Sequence, residues 1–363
     1  AGHLQGGIPA ADIDALERYW AVCPQLRNTL FKKRRPGYLD LAMEKAAIKP
    51  AIYEHPEFAT FIAGMNAHFD AWRKKSAVTL KALKAACRPK EVIGELSENL
   101  LAHYAGKPLI DPYDVYQHLM DYWAETMQDD VYLIVGDGWY EAAKLRLIIE
   151  EKGGKSKEKP DFTVGKLKYR AELIPTALVI ARYFAAEQGT VEKLEAEVAA
   201  IEQAMEEMAE EHSGEEGLLE SAKNDKDKLT KVSVAARLKE IKGDADAADE
   251  RKALSDYLAL IEKDAATSVK VKDAQEALMA KVAAQYGKLT EDEIKTLVVD
   301  DKWLATLAAA VQGELDRVSQ TLTGRIRELA DRYVTPLPQL TGEVATLAAR
   351  VDEHLKKMGA VWS

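Results

Sequence analysis

A chain of 363 residues has room for two or three domains at about one per 150 residues, and its 47% apolar and 30% charged side chains suit a protein that buries a core. No apolar run approaches the ~20 residues of a bilayer crossing, no signal segment opens the chain, and Cys23 and Cys87, alone and far apart, suit a reducing cytoplasm rather than a disulfide framework or zinc site. Residues 1–110 carry 16 Lys+Arg against 11 Asp+Glu and the remainder 34 against 49, so the acidic part repels a phosphate backbone and any nucleic-acid contact has to use local basic patches.

Alanine, leucine, glutamate and lysine dominate, which favours helix. The opening Ala1-Gly2-His3 lacks a methionine, and the expectation is that further chain precedes it. Residues 11–110 read as several short helices. Asp12 caps one whose apolar face holds Ile13, Leu16, Trp20 and Cys23. Phe31-Lys32-Lys33-Arg34-Arg35-Pro36-Gly37 reads as a basic loop. Phe58, Ile62, Met65, Phe69 and Trp72 recur at helical spacing. A helix over 112–128 precedes a short β-like run, Val131 to Val135, and a turn at Gly136-Asp137-Gly138. Helix is predicted again from Trp139 through Glu151. A Gly/Lys-rich loop at 152–160 follows, then a small hairpin over 161–170 around Gly165-Lys166.

Val191, Leu194, Val198, Ile201, Met205 and Met208 step by three and four, as a coiled-coil seam does. A return stripe runs through Leu254, Leu258, Ile261 and Ala265, then Val271, Leu278 and Val282. Between them, 213–250 is polar and loosely patterned. Together these predict a helical arm over 187–287 with an irregular tip. Thr290 and Glu293 fit a capping box. From about Lys302 two further stripes follow. Leu315, Val318, Leu322, Ile326, Leu329 and Tyr333 form the first, and Leu340, Val344, Leu347, Val351, Leu355 and Met358 the second. Between them, Pro336 and Pro338 cannot sit inside a helix, so the chain is expected to turn back into a helical hairpin. The fold expected is mainly α: a helical body over 1–186 with short β elements near 131–135 and 161–170, the arm, and the C-terminal hairpin over 288–363.

No chemistry-bearing constellation stands out. Asp111-Pro112-Tyr113 is the nearest to an adenine-binding motif, but an Asp cap with Pro at the first helical position gives the same residues. Val135-Gly136-Asp137-Gly138 lacks the third glycine of a nucleotide fingerprint. The seven histidines do not pair at metal spacing, and no nucleophile elbow is present. Lys32, Lys33, Arg34 and Arg35 are either phosphate contacts or a solvated run.

The order of these pieces resembles the modification subunit of type I restriction-modification systems. The resemblance is clearest at Lys288-Leu289-Thr290-Glu291-Asp292-Glu293-Ile294, Asp301-Lys302-Trp303-Leu304, Arg325 through Tyr333, Pro336-Leu337-Pro338 and His354 through Gly359. Gly6-Gly7-Ile8-Pro9, Tyr19-Trp20, Asp111-Pro112-Tyr113-Asp114-Val115 and Gly138-Trp139-Tyr140-Glu141-Ala142 fit the same pattern, which is weakest across 205–250. Such subunits are adenine-N6 DNA methyltransferases that use S-adenosylmethionine, through a Gly-rich loop and an Asn/Asp-Pro-Pro-Tyr/Phe motif. Neither is intact here. The resemblance therefore implies a non-catalytic C-terminal region, with no catalytic, cofactor or metal residues of its own. It implies docking on the DNA-specificity subunit, with the restriction subunit as a further partner, DNA reached through the complex, and no membrane. The expected contact residues are the two C-terminal stripes with the polar edge of Arg325, Arg327 and Arg332. Two rival readings stay open: a self-standing helical enzyme with an unrecognised site, and a DNA-binding helical protein outside methylation.

Overall fold

The computed structural model describes residues 10–35, 38–149, 158–212, 214, 217–224, 226–244, 246–332 and 337–358. In chain order the helices and strands are α1 (Ala10–Val22), α2 (Pro24–Leu30), β1 (Phe31–Arg35), β2 (Tyr38–Leu41), α3 (Ile48–Tyr53), α4 (Pro56–Lys81), α5 (Pro89–Tyr104) and α6 (Pro112–Tyr122). A π-helical stretch, Trp123–Met127, leads into α7 (Gln128–Asp137), α8 (Trp139–Ala142), β3 (Arg146–Leu147), β4 (Phe162–Val164) and β5 (Leu167–Arg170). Then come α9 (Thr176–Tyr183), α10 (Ala185–Glu211), α11 (Lys231–Glu240), α12 (Ala248–Tyr286) and α13 (Glu291–Lys295). A second π-helical stretch, Thr296–Leu304, precedes α14 (Ala305–Arg332) and α15 (Leu337–Lys357). The protein is mainly helical, with small antiparallel sheets.

It divides into two compact units, Ala1–Val131 with Trp303–Ser363, and Tyr132–Lys302. These limits differ from the 186/187 and 287/288 boundaries expected from the sequence. The reason lies in α14, whose stripe Leu307, Val311, Leu315, Val318, Leu322 and Ile326 is buried. That stripe packs on α1, α3, α4 and α6 and brings the C-terminal third into the first unit.

In the first unit α4 presents Phe58, Phe61, Met65, Phe69, Trp72, Ser76 and Leu80 as one buried face at spacings of three and four. Two polar contacts add direction to this apolar packing. The Trp303 indole, fully buried, donates to Asp130 Oδ2 at 2.7 Å. The Tyr19 hydroxyl donates to the Val318 carbonyl at 3.0 Å. A buried carboxylate is tolerable only with such donors, so Asp130 and Trp303 constrain each other's position.

The expected basic loop is a strand. Phe31–Arg35 pairs antiparallel with Tyr38–Leu41, with an irregular register between Lys33 and Arg35. Phe31 is fixed by an edge-on contact with Trp20, so the strand starts from the core although its cations give no apolar alternation. The expected β-run at 131–135 is helical and lies in α7. Val131 and Ile134, three apart, are buried while Tyr132 is 57% exposed, the pattern of a helix rather than a strand. The helix expected over 139–151 ends at Ala142, because Arg146 and Leu147 pair with β5. The hairpin predicted over 161–170 forms, turning at Gly165 with φ +59°, where a side chain would be strained.

In the second unit α10 and α12 pack side by side. Lys281 meets Glu187 at 3.0 Å and Gln275 meets Glu195 at 2.7 Å, which makes the pair antiparallel. The expected arm is therefore present. Val191, Ile201, Leu254, Leu278 and Val282 are buried along its seam, but Ala265 is exposed and Thr267 takes the buried position. The tip combines irregular turns with a three-residue 3-10 turn and the helix α11. Leu219, Ala222, Val234, Ile241, Ala253, Leu254 and Tyr257 form a separate core there, with Met205 and Met208 against it. Thr230 and Ser233 cap α11 reciprocally. A three-residue 3-10 turn and a ten-residue helix give too short a periodicity to read from sequence.

Candidate interaction surface

Helix α15 starts at Leu337-Pro338, where the missing proline N–H is not needed. It ends with His354 and with Lys356 and Lys357, whose positive charge favours a helix C-terminus. Leu340 and Leu347 take d positions of a heptad, and Val344 and Val351 take a positions, a combination that favours pairing of two helices. Yet this stripe is open to solvent. Leu340 is 43% exposed, Val344 65%, Leu347 56% and Val351 56%. Leu355 is half-buried, and Met358 is exposed. The flank is polar, with Lys357 on Glu353 at 2.8 Å. Scattered exposed apolar residues are ordinary, whereas Leu340, Val344, Leu347 and Val351 make a continuous exposed apolar row over about three turns of one helix.

The expected burial of the two C-terminal stripes on each other is thus corrected. The first stripe, Leu315, Val318, Leu322 and Ile326, is internal core of the first unit and unavailable to a partner. Leu329 is half-buried. Arg325 pairs with Glu328 at 2.9 Å, and Arg327 donates from Nε to the Lys45 carbonyl at 3.2 Å. Tyr333, Pro336 and the Arg332 side chain lie outside the described residues. Of the residues expected at an interface, those of α15 alone form an exposed apolar face.

The remaining candidates resolve by geometry. The Asp111 side chain accepts from the Tyr113 N–H at 2.9 Å with Pro112 at the start of α6, so it is a helix cap. Gly138, at φ +81°, donates to the Ile134 carbonyl and closes α7 as a plain turn. Lys32 and Lys33 are exposed on β1, and the side chains of Arg34 and Arg35 lie outside the described part. Among the described residues no three His, Cys, Asp or Glu side chains come together as a metal site. No described helix is long and apolar enough to cross a membrane. The shallow pocket between α9 and α10 is lined by Ala177, Ile180, Ala181 and Ala185, with Gln188 and Glu192 as its polar groups, and offers no acid–base pair.

Three polar clusters escaped the sequence reading, because their members lie far apart in the chain. His118 Nε2 meets Glu314 Oε1 at 2.8 Å, and Arg317 bridges Glu314 and Asp114, joining α6 to α14. Burial raises the Glu314 carboxyl, but the hydrogen bonds from His118 and Arg317 outweigh it and hold the group below its ordinary value. His68 and His103 stack with centroids 3.7 Å apart, each Nε2 on the other's backbone carbonyl at 2.8 Å. Arg146 is clasped by Glu158 and Glu172 beside the three-stranded sheet. All three clusters tie elements together. The chain matches no protein-family model, no curated protein and no solved structure.

Proposed function

We propose that this chain is the C-terminal assembly region of a type I modification subunit, a cytoplasmic piece that holds an upstream methyltransferase domain on its DNA-specificity subunit. Helix α15 is the docking element in this reading. The observation that carries it is the unpaired face of α15, a heptad stripe of Leu340, Val344, Leu347 and Val351 with each member 43–65% exposed. The sequence resemblance supplies the identity of the occupant. Catalysis, S-adenosylmethionine and the flipped adenine belong to the upstream domain, and the restriction subunit joins the assembled complex.

The test is capture of the chain by a purified specificity subunit. The variant V344S/L347S/V351S removes apolar area from an already exposed face. It should leave the melting temperature of the free chain unchanged within error while reducing capture at least tenfold. Capture equal to wild type would remove α15 from the docking role. Methyl transfer by the isolated chain would overturn the non-catalytic reading itself.

A further inference from the structure

From Leu340 to Met358 every residue of the α15 region is exposed except half-buried Leu355. Thr346 bonds to the Gly342 carbonyl and Lys357 to Glu353, both within the helix. A helix draws most of its stability from packing an amphipathic face, so one with water on all sides is marginal. The edges of its stripe carry further information. With Leu340 and Leu347 at d and Val344 and Val351 at a, Glu343 and Arg350 take successive g positions, and Thr341 and Ala348 successive e positions. Two such helices running in the same direction set g against e. Glu343 would then lie beside Ala348 and Arg350 beside Leu355, with no charge matched. His354, the next d residue, would face its own copy inside the seam. Two helices running in opposite directions set g against g and e against e. Pairing Val344 with Leu347 of a second copy, and Leu340 with its Val351, gives four wholly apolar layers about a two-fold axis and leaves His354 beyond them. At about 1.5 Å rise per residue, Glu343 then stands within about 3 Å of the level of the second copy's Arg350, while the like-charged g pairs are at least about 7 Å out of level. The two-fold axis makes this pair twice. On the other edge Thr341 and Ala348 are small and let the helices approach closely.

We propose that α15 of the free chain pairs with α15 of a second copy, antiparallel, in the register that sets Glu343 against Arg350 on both sides of the two-fold axis. Such a contact uses the same patch on both copies, so it needs no second surface and closes at a dimer. The shared stripe is short, and the dimer is weak and reversible. Self-pairing covers the apolar face of the free chain, and a docking partner that takes the same face displaces the second copy. The inference rests on the α15 face and not on the identity of that partner. A monomeric chain would leave the docking role standing, and failed capture by the specificity subunit would leave the dimer standing.

The experiment is sedimentation velocity of the whole chain at low salt across about 1–200 μM, the range in which so small a contact dissociates. Wild type should pass from monomer to dimer and no further, and V344S/L347S/V351S should stay monomeric. Glu343→Arg and Arg350→Glu each set like charges together at both sites, and each should raise the dissociation constant about tenfold. An equimolar mixture of these two single variants restores opposite charges at both sites, as does the double variant E343R/R350E. Both should recover the wild-type constant, which a variant that merely lost its helix could not do. Four results would overturn the proposal: a wild-type chain that stays monomeric throughout, a dimer that the serine variant keeps, single charge reversals without effect, as parallel pairing requires, or a mixture no tighter than either single variant alone.

Discussion

Two leucines at equivalent places in two similar stripes should respond oppositely to the same substitution. Leu322 on α14 is fully buried, whereas Leu347 on α15 is 56% exposed. Leu322→Ala removes buried carbons and leaves a cavity, a loss of about 2–5 kcal/mol. Leu347→Ala changes a side chain that water already reaches, so the change should stay within ~0.5 kcal/mol. The assay is urea unfolding followed by tryptophan emission. Of the six tryptophans only Trp139 lies in the second unit, so emission reports mainly on the first. With a urea slope of about 2 kcal/mol/M, Leu322→Ala should lower the midpoint by about 1–2.5 M and Leu347→Ala by less than ~0.3 M. Equal shifts for the two variants would show that α15 folds back on its own chain, and the reading of its face as a docking surface would fall.

Asp130→Ala strands the buried Trp303 N–H and should lower stability by about 1–3 kcal/mol, read from the same urea curves; an unchanged midpoint would mean that the pair is incidental. The Cys23 thiol is pushed up to about 11, by burial first and then by Glu57, so disulfide reagents at pH 8 should leave Cys23 unmodified in the native chain and modify it only after unfolding. Rapid modification of Cys23 in the folded protein would contradict its placement. The Glu314 carboxyl is held below its ordinary value in the fold, so its contribution to stability is present above the unfolded value, about 4.3, and is lost as pH falls through the folded one. Glu314→Gln should therefore flatten the loss of unfolding midpoint below about pH 4.5, and a wild-type acid profile in this variant would refute the assignment.

Periodicity was informative wherever a helix was long. The α10 seam and its return on α12 were readable because Val191, Ile201, Leu254, Leu278 and Val282 repeat over many turns. It failed over short spans. Val131 to Val135 is five apolar or aromatic residues, a length at which strand and buried helix have the same pattern, and α7 settles the matter through burial at i and i+3. The basic strand was invisible for the opposite reason: a run of four cations has no apolar alternation to mark it. Polar partners such as Asp130 with Trp303, 173 residues apart, leave no local trace at all. The contact surface was half legible. Both C-terminal stripes were visible, but a stripe records only that something covers it, and for α14 the cover is the protein's own α1, α3, α4 and α6.

Magnitudes limit what α15 can do alone. Burying a Val or Leu completely contributes about 1.5–3 kcal/mol, and the four stripe residues have roughly half of that left to gain, about 3–6 kcal/mol together. Association itself costs an estimated 4–15 kcal/mol in lost rigid-body freedom. The stripe therefore sits near break-even as a sole contact. It can select a partner helix of matching pattern, but it needs further buried area to hold one. Met358 at 81% exposure and half-buried Leu355 extend the same face by about two more turns. A second contact elsewhere on the assembled subunit would act at high effective concentration once α15 has engaged, and the two together would hold where neither does singly. If α15 is the docking element, its one apolar face, open to solvent along a heptad, is where a partner helix would add the missing buried area.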